Sequence, residues 1–325
     1  MADEVRIGFV GCGGNARWHM DSLGGVEGAR IVAVCDVVEA LAQKASESTG
    51  GEAYTDYEKM LARDDLQALY LSLPVFAHGE PELGAIRRGL PIFVEKPVAR
   101  DMDTALRVLA EVEKSGLITC VGYQLRYGAG TTAARKLLDG QTVGLVSGQY
   151  WCGSGRGTPR NWRHDYARSG GQILEQATHT LDMMRFLCGE VTQVVTRQAN
   201  RELLDIDCAD VTCALLAFES GAIGTLSTSW AYDPADWTHA NVLHITFADK
   251  LLRWTANGTT LEGGGAKSSQ HALEERNIDR VFVDAVRTGD DSGILTPYAD
   301  GVASLRLCLA INESGRTGAP VTVSS

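Results

Sequence analysis

The chain has 325 residues, 44% of them hydrophobic and 22% charged, which is the balance of a soluble globular protein large enough for two domains. Thirty Lys and Arg residues against 41 Asp and Glu residues give a net charge of −11. Such a charge repels nucleic acids and anionic membranes, and the sequence has no run of about 18 apolar residues that would span a bilayer. We therefore expect neither a nucleic-acid nor a membrane partner.

The N-terminal residues and the cysteines both indicate a cytoplasmic protein. The sequence passes from Met-Ala-Asp-Glu directly into the apolar run Val5–Val10, without the basic and apolar segments of a signal peptide. Its eight cysteines include no C-x-x-C pair, and several lie inside apolar, strand-like runs. This pattern predicts neither a disulfide framework nor a zinc site.

Short apolar strands alternate with helices in the first third of the chain. The predicted strands are Arg6–Val10, Ile31–Cys35, Ala68–Leu73, Ile92–Val94 and Ile118–Val121. This alternation indicates a parallel sheet with crossover helices on its faces. We therefore predict an α/β domain over residues 1–122.

After residue 122 the predicted strands follow one another closely, which indicates a large, mostly antiparallel sheet in an α+β domain over residues 123–325. The helices predicted in this part are Gln172–Leu187, Arg276–Thr288 and Pro297–Ser314. Helices should cover one face of the sheet and leave the other open. Since an exposed apolar face normally pairs with another copy, we expect a homodimer or a homotetramer formed through this sheet.

A glycine-rich turn connects the first strand to a helix in the pattern G-x-G-x-x-A. Gly11 would allow a tight turn and Gly13 a close approach of a diphosphate, while the small Ala16 lets the helix lie near the strand. Asp36 ends the second strand, where a carboxylate accepts from both ribose hydroxyls, and no Arg or Ser follows to bind a 2′-phosphate. The pattern predicts an N-terminal Rossmann domain that binds NAD in preference to NADP, with cofactor contacts from Gly11, Gly13, Gly14, Asn15, Ala16 and Asp36.

Lys96 follows the fourth of these strands between a glutamate and a proline. The carboxyl end of a parallel strand is where such sheets bind ligands, so its ammonium group could polarise the oxygen of a carbonyl or hydroxyl group. The alternative is an ordinary surface lysine.

These motifs together resemble the Gfo/Idh/MocA oxidoreductases, the family of glucose–fructose oxidoreductase and inositol dehydrogenase. The resemblance spans nearly the whole chain and rests on the glycine-rich turn, Pro74 with His78, Glu95-Lys96-Pro97, Gly122–Tyr127, Gly170–Asp182, Phe282–Gly289 and Gly318–Val321.

The resemblance implies roles for individual residues. Lys96 would be the essential lysine of the E-K-P motif, and His179 the histidine that exchanges the hydroxyl proton. Glu175 stands where the family commonly has an aspartate that contacts the substrate, and Leu73 where many members have a threonine. We expect further cofactor contacts from Ser72, Pro74, His78, Glu95 and Lys96.

The spacing of Glu175, His179 and Asp182 places all three on one face of the predicted helix. Between two carboxylates, the histidine would have a raised proton affinity and a fixed tautomer, as a general base requires. Two alternatives stay open. Such a trio can bind a metal, although no further His or Cys is placed to complete the site, and we predict none. Alternatively, the polar side chains on this helix face could serve only to stabilise the fold.

Two loops rich in aromatic and charged residues, Thr158–Tyr166 and Trp230–His239, suit a polyhydroxylated ring. Aromatic faces stack on the C–H faces of a sugar while polar side chains bind its hydroxyl groups. The predicted substrate contacts, besides Glu175, are Tyr123, Arg126, Trp162, Arg163 and His164.

The sequence thus predicts an NAD-dependent oxidoreductase that transfers a hydride between a secondary hydroxyl of a sugar, sugar derivative or cyclitol and the nicotinamide. Two alternatives remain. An enzyme of the same fold could use NAD transiently for net cleavage of a glycoside or anhydrosugar, or the protein could sense NAD and sugar without turnover. The presence of both Lys96 and His179 argues against a sensor, which needs no proton-transfer pair.

Overall fold

The computed structural model describes residues 4–153, 160–233 and 240–324, with the side chains of residues 266 and 267 excepted. The chain divides into two compact units. The first comprises Met1–Tyr123 and Asn277–Val302, and the second comprises Gln124–Arg276 and Ala303–Ser325. The sequence suggested a single boundary after residue 122. It did not indicate that residues 277–302 return to the first unit.

Strands and helices are numbered along the chain. The strands are β1 (Val5–Val10), β2 (Ala29–Cys35), β3 (Glu52–Tyr54), β4 (Ala68–Leu71), β5 (Ile92–Val94), β6 (Thr119–Val121), β7 (Val143–Trp151), β8 (Val191–Ala199), β9 (Val211–Phe218), β10 (Ile223–Ser229), β11 (Asn241–Phe247), β12 (Lys250–Thr255), β13 (Gly258–Gly263), β14 (Ala266–His271) and β15 (Val321–Thr322). The helices are α1 (Gly14–Leu23), α2 (Glu39–Thr49), α3 (Tyr57–Leu61), α4 (Glu80–Arg87), α5 (Met102–Ser115), α6 (Ala129–Leu138), α7 (Tyr166–Ser169), α8 (Gly171–Glu175), α9 (Thr178–Cys188), α10 (Ile278–Thr288) and α11 (Tyr298–Thr317).

The sheet of the first unit is parallel throughout and has the strand order β3-β2-β1-β4-β5-β6. This is the order of a dinucleotide-binding Rossmann fold, and it confirms the predicted fold class. Strands buried on both faces read as continuous apolar runs, and β4 and β5 are buried at every residue. Stacked rings fill the centre, with Tyr70 lying 4.7 Å from Phe9 and 4.5 Å from Phe93.

The second unit contains a nine-stranded sheet in the order β14-β13-β12-β11-β7-β10-β9-β8-β15. Every neighbouring pair is antiparallel except β7 and β10, so the prediction of a mostly antiparallel sheet is confirmed. Helix α9 packs on β7 and β11. Gly148 makes this approach possible, because a Cβ atom there would lie only 2.7 Å from Sδ of Met184.

The opposite face of this sheet is exposed in its centre. Leu145, Leu215 and Ile223 lie on neighbouring strands and are 44%, 55% and 57% exposed. The alternation of buried and exposed residues along β9 and β10 shows that only one face is covered. The second domain is therefore open-faced, as predicted.

The predicted single helix over Gln172–Leu187 is wrong. Helix α8 ends at Glu175 and α9 begins at Thr178. Between them, the amide of Ala177 donates to the carbonyl of Gln172, five residues earlier, which interrupts the ladder of α-helical bonds. Glu175 and His179 consequently lie on different helices.

In the part of the chain that the structure describes, no helix combines the length and the apolar character that a membrane span requires.

Candidate functional site

The turn after β1 has the geometry that its glycines predict. Gly11 has a positive φ of 92°, and a Cβ atom there would lie 2.1 Å from the carbonyl oxygen of Ser72. No other residue fits this position, because a side chain would meet the backbone of the neighbouring strand. At Gly13 and Gly14, by contrast, an added Cβ atom would meet open space. Ala16 lies in the first turn of α1 and is fully buried.

Asp36 is fixed at the end of β2 by two backbone amides. Its Oδ2 accepts a hydrogen bond from the amide of Cys12 at 2.9 Å, and its Oδ1 accepts one from Val38 at 2.8 Å. Burial raises the pKa of the Cys12 thiol to about 12, and the Asp36 carboxylate adds to this shift. The thiol at the tip of the turn is therefore neutral at physiological pH, and the negative charge belongs to Asp36.

These residues fit a bound dinucleotide. Helix α1 starts at Gly14 with no side chain capping its N-terminus and no acidic residue in its first turn. The first backbone N–H groups of α1 can therefore donate hydrogen bonds to an anion. The positive end of the helix dipole also attracts an anion. Asp36 supplies the acceptor for ribose hydroxyls, and the space over Gly13 and Gly14 leaves room for a diphosphate. Asn15 is exposed on the first turn of the same helix.

Other predicted cofactor residues lie at the same carboxyl edge of the parallel sheet. Ser72 follows β4, and its amide donates to the carbonyl of Val10 on the neighbouring strand. Pro74 precedes a short 3₁₀ helix. Glu95 and Lys96 follow β5, and Oε2 of Glu95 accepts a hydrogen bond from the amide of Lys96 at 3.1 Å.

His78 lies beside α4 with its side chain fully buried. Its Nδ1 is 2.5 Å from Oε1 of Glu82, and Oε2 of the same carboxylate accepts from the amide of Gly79 at 2.6 Å. The pair caps the start of α4, which gives His78 a structural role. A contact between His78 and the cofactor stays a prediction.

A buried charge cluster next to Lys96 was missed in the sequence. His19 on α1 lies between Glu95 and Asp279, with Nε2 2.9 Å from Oε1 of Glu95 and Nδ1 2.6 Å from Oδ1 of Asp279. Burial opposes the charged imidazole, but the bonds to Asp279 and Glu95 outweigh it and raise the pKa of His19 to about 9. The only sequence signal is that His19 falls on the buried face of α1.

The second unit brings Glu175, Arg163 and Trp162 together. The Nε atom of Arg163 donates to Oε1 of Glu175 at 3.1 Å, and its guanidinium lies 5.4 Å from the centre of the Trp162 ring. The Glu175 side chain is 8% exposed, whereas that of Arg163 is 39% exposed. Burial raises the pKa of Tyr150, and Cys152 and Glu175 add to this shift, so Tyr150 offers a neutral hydroxyl.

His179 and Asp182 both lie in α9 and are buried. Asp182 binds Arg126 through two hydrogen bonds of 2.8 and 2.6 Å, and it also accepts from Ser304 at 2.8 Å. Such a buried, bidentate pair is strong and geometrically fixed. Arg126 is therefore anchored inside the second unit, and a substrate contact by this residue stays a prediction.

Two further predicted substrate residues are buried in the structure. The Nδ1 atom of His164 accepts from the amide of Asn161 at 3.2 Å, and its ring packs 5.5 Å from that of Trp230. Tyr123 is 1% exposed. The two predicted substrate loops are only partly described, because residues 158–159 and 234–239 lie outside the described residues.

Across residues 4–153, 160–233 and 240–324, no group of three or more His, Cys, Asp or Glu side chains is arranged to hold a metal ion. The eight cysteines all lie within these ranges, and none of them forms a disulfide bond.

Several known proteins resemble this chain, some over nearly its full length. Myo-inositol 2-dehydrogenase of Thermotoga maritima is 24% identical, with 95% of this chain and 96% of that protein aligned. The 2,7-anhydro-N-acetylneuraminate hydratase of Mediterraneibacter gnavus is 29% identical over 52% of this chain and 46% of its own. The solved structure of levoglucosan dehydrogenase with NADH superposes with a TM-score of 0.87 at 18% identity, covering 99% of this chain and 100% of that one.

Two family models match successive parts of the sequence. Residues 5–123 match the NAD-binding Rossmann fold of the Gfo/Idh/MocA oxidoreductases, and residues 131–249 match the C-terminal domain of the same family. The glycine turn, Asp36 and Lys96 stand in the first of these matches. The chain belongs to the Gfo/Idh/MocA family of oxidoreductases, whose N-terminal domain is an NAD-binding Rossmann fold.

Proposed function

We propose that this protein is an NAD-dependent dehydrogenase or reductase that transfers a hydride between a secondary hydroxyl group of a sugar, sugar derivative or cyclitol and the nicotinamide. One observation carries the proposal. The glycine turn after β1, Asp36 after β2 and Lys96 after β5 all lie at the carboxyl edge of one parallel sheet. That edge is where open α/β sheets bind a dinucleotide and the group that reacts with it.

NAD is the proposed cofactor rather than NADP. Both oxygens of the Asp36 carboxylate are oriented by backbone amides, so its charge stays in place. A 2′-phosphate at this position would meet that carboxylate, and Val37 and Val38 offer no positive charge to compensate it. Bound NAD supplies the acceptor for a hydride in the oxidising direction and the donor in the reverse direction.

The proposed chemistry assigns one task to each of three side chains. Lys96 binds the reacting oxygen and stabilises the negative charge that develops on it. His179 takes the hydroxyl proton, while the carbon loses its hydrogen together with the bonding electrons and becomes a carbonyl carbon. Glu175, oriented by Arg163, accepts a hydrogen bond from a neighbouring hydroxyl group.

The substrate class rests on the charges in the second unit. Arg126 and Arg163 are each paired with a carboxylate, so neither is a surplus cation that would select an anionic substrate. The Trp162 ring and the Glu175–Arg163 pair instead suit a neutral, polyhydroxylated ring. Inositol and levoglucosan, the substrates in the names of two relatives, are both neutral polyhydroxylated rings.

A second candidate function is net cleavage or hydration of an anhydrosugar or glycoside with transient use of NAD. The observation that favours it is the similarity of about half of the chain to an anhydrosugar hydratase. The same lysine and histidine would serve both reactions, since each begins with oxidation of a hydroxyl group. A sensor without turnover is the third candidate.

We further propose that two or four copies associate through the open face of the second unit's sheet. The exposed Leu145, Leu215 and Ile223 form an apolar surface in the middle of this face. A cytoplasmic location stays a prediction, in keeping with eight cysteines that form no disulfide bond.

The test is the formation of NADH, followed by its absorbance, with a panel of free sugars, anhydrosugars, cyclitols and glycosides. NAD and NADP are compared, and Lys96→Ala serves as the blank. The proposal predicts NADH with one substrate class, faster with NAD than with NADP, and its loss in Lys96→Ala. No NADH with any substrate despite measurable NAD binding would overturn the dehydrogenase proposal, and product analysis would then separate the hydratase-like reaction from a sensor.

A further inference from the structure

The histidine of the buried cluster beside Lys96 occupies an unusual position. Both ring nitrogens of His19 lie within hydrogen-bond distance of a carboxylate oxygen, Nε2 at 2.9 Å from Glu95 and Nδ1 at 2.6 Å from Asp279. A neutral imidazole carries one N–H group and could satisfy only one carboxylate. Two short contacts to two carboxylates therefore indicate the doubly protonated, positively charged ring.

The surroundings of the ring exclude water. The side chains of His19, Glu95 and Asp279 are 2%, 9% and 0% exposed. The rings of Phe93 and Tyr70 lie 4.7 and 5.7 Å from the imidazole. In such an environment each charged side chain is stabilised by its oppositely charged partner. Removing one partner leaves the other charge buried and unpaired.

Several titratable groups face this cluster. Tyr70 on β4 lies beside Asp279, and Cys120 on β6 lies beside Tyr70. Lys96 adds its positive charge on the side of Glu95. Burial opposes the ionised form of Glu95, but His19 and Lys96 outweigh it and lower the pKa of this carboxyl. Glu95 is therefore an anion between two cations.

Glu95 links the cluster to the backbone of Lys96. One carboxylate oxygen binds His19, and the other accepts the amide of Lys96 at 3.1 Å. The carboxylate also lies directly against Gly122, where a Cβ atom would be 3.0 Å from its Oε1. This one carboxylate thus joins the buried cluster to the backbone amide of Lys96.

We propose that His19 is a positioning residue for Lys96: as an imidazolium held by Asp279, it fixes the Glu95 carboxylate that binds the Lys96 amide. The inference rests on the proposed function, in which Lys96 binds the reacting oxygen. His19 lies on α1, the helix that begins at the glycine turn, and Asp279 lies in the first turn of α10. The cluster therefore ties the helix at the dinucleotide turn to the reactive lysine.

His19→Gln is the first variant, because glutamine can donate from its amide nitrogen on one side only, presents an acceptor oxygen on the other side and carries no charge. We expect kcat to fall about ten- to hundredfold, as a displaced reactive group typically causes, while the affinity for NAD changes little. Ser22→Ala is the matched control. It removes the 2.9 Å hydrogen bond that Asn277, the residue before α10, donates to Ser22 on α1, and leaves Glu95 unchanged. This control should retain wild-type kcat.

Asp279→Asn is the second variant and keeps a hydrogen-bond partner of the same size. NMR titration of the imidazole, assigned by difference from His19→Gln, should show wild-type His19 losing its proton near pH 9. In Asp279→Asn the titration should shift to lower pH by about one unit or more, with a parallel fall in kcat. This readout does not require an active enzyme.

The outcomes separate the two proposals. Wild-type kcat in His19→Gln, with activity lost in Lys96→Ala, would overturn the positioning role and leave the proposed function intact. A neutral His19 at about pH 7 by NMR would also overturn it. Full activity in Lys96→Ala would overturn the catalytic role of the lysine, and with it the positioning role, whatever the state of His19.

Discussion

The amide of Cys12 donates a 2.9 Å hydrogen bond to Oδ2 of Asp36, so the tip of the glycine turn and the end of β2 are held in one arrangement. The other carboxylate oxygen is bound by the amide of Val38 at 2.8 Å. A side chain anchored in this way is preorganised to accept ribose hydroxyls, since it loses little conformational freedom when the cofactor binds. The selection of NAD over NADP should depend on this one residue.

Asp36→Ala should therefore weaken NAD binding about tenfold or more, because the hydrogen bonds to a charged acceptor are lost. The preference for NAD over NADP should shrink in the same variant. Dissociation constants for both dinucleotides, measured by calorimetry, check this. Glu39→Ala, which removes an exposed carboxylate in the first turn of α2, is the control. Equal losses in the two variants would show that net charge, rather than the position of Asp36, decides the preference.

The Arg163–Glu175 pair should act on substrate binding more than on the chemical step. Arg163→Lys loses the Nε donor that reaches Glu175 at 3.1 Å, and the substrate KM should rise about tenfold with a smaller change in kcat. Steady-state kinetics with the substrate found in the panel measure both constants. Arg316→Lys is the control, because the Nε atom of Arg316 donates to the exposed Glu313 outside both predicted substrate loops. If Arg163→Lys lowers kcat and leaves KM unchanged, the pair acts in the transition state instead.

His19 should make the stability of the protein depend on pH in the alkaline range. Its pKa is raised from 6.5 to about 9 in the folded protein, so its stabilising contribution is complete below about pH 6.5 and is lost as the pH rises through about 9. Between about pH 7 and pH 10, the wild type should lose on the order of 2 kcal/mol more than His19→Gln. Urea unfolding at a series of pH values measures this difference. Parallel curves for the two proteins would contradict a charged His19.

The apolar face of the second unit's sheet should be needed for association. Leu215→Asp places a charge in its centre, and the molecular mass in solution should fall to that of a single chain. Light scattering coupled to size-exclusion chromatography measures the mass. Leu204→Asp is the matched control, because Leu204 is 76% exposed and lies outside the sheet. An unchanged mass in Leu215→Asp would show that the copies associate through another surface or not at all.

Local sequence patterns were sufficient to predict the Rossmann unit. Gly11 follows the first strand and Asp36 the second strand of one strand–helix–strand unit, and the spacing of such a unit follows from its regular geometry. Lys96 could be placed for the same reason, since it directly follows a buried strand. The open-faced antiparallel sheet likewise follows from short alternating strands that are close together in the sequence.

The cluster around His19 could not be predicted in this way. His19 and Asp279 are 260 residues apart, and only the return of residues 277–302 to the first unit brings them together. The break between α8 and α9 carries no sequence signal either, because neither Gly nor Pro occurs near Gln176 and Ala177. Local propensity favours a continuous helix there, and tertiary packing overrides it. Similarly, the sequence suggested Arg126 only as a substrate contact, whereas in the fold Asp182 binds it through two hydrogen bonds.

The most direct test of the central claim follows the hydrogen itself. The substrate found in the panel is deuterated at the reacting carbon, incubated with the protein and NAD, and the dinucleotide is analysed by mass spectrometry. Net hydride transfer predicts one deuterium atom in the NADH formed, and none when Lys96→Ala is used. A product that is cleaved or hydrated, with its deuterium retained and no NADH accumulated, would contradict a dehydrogenase.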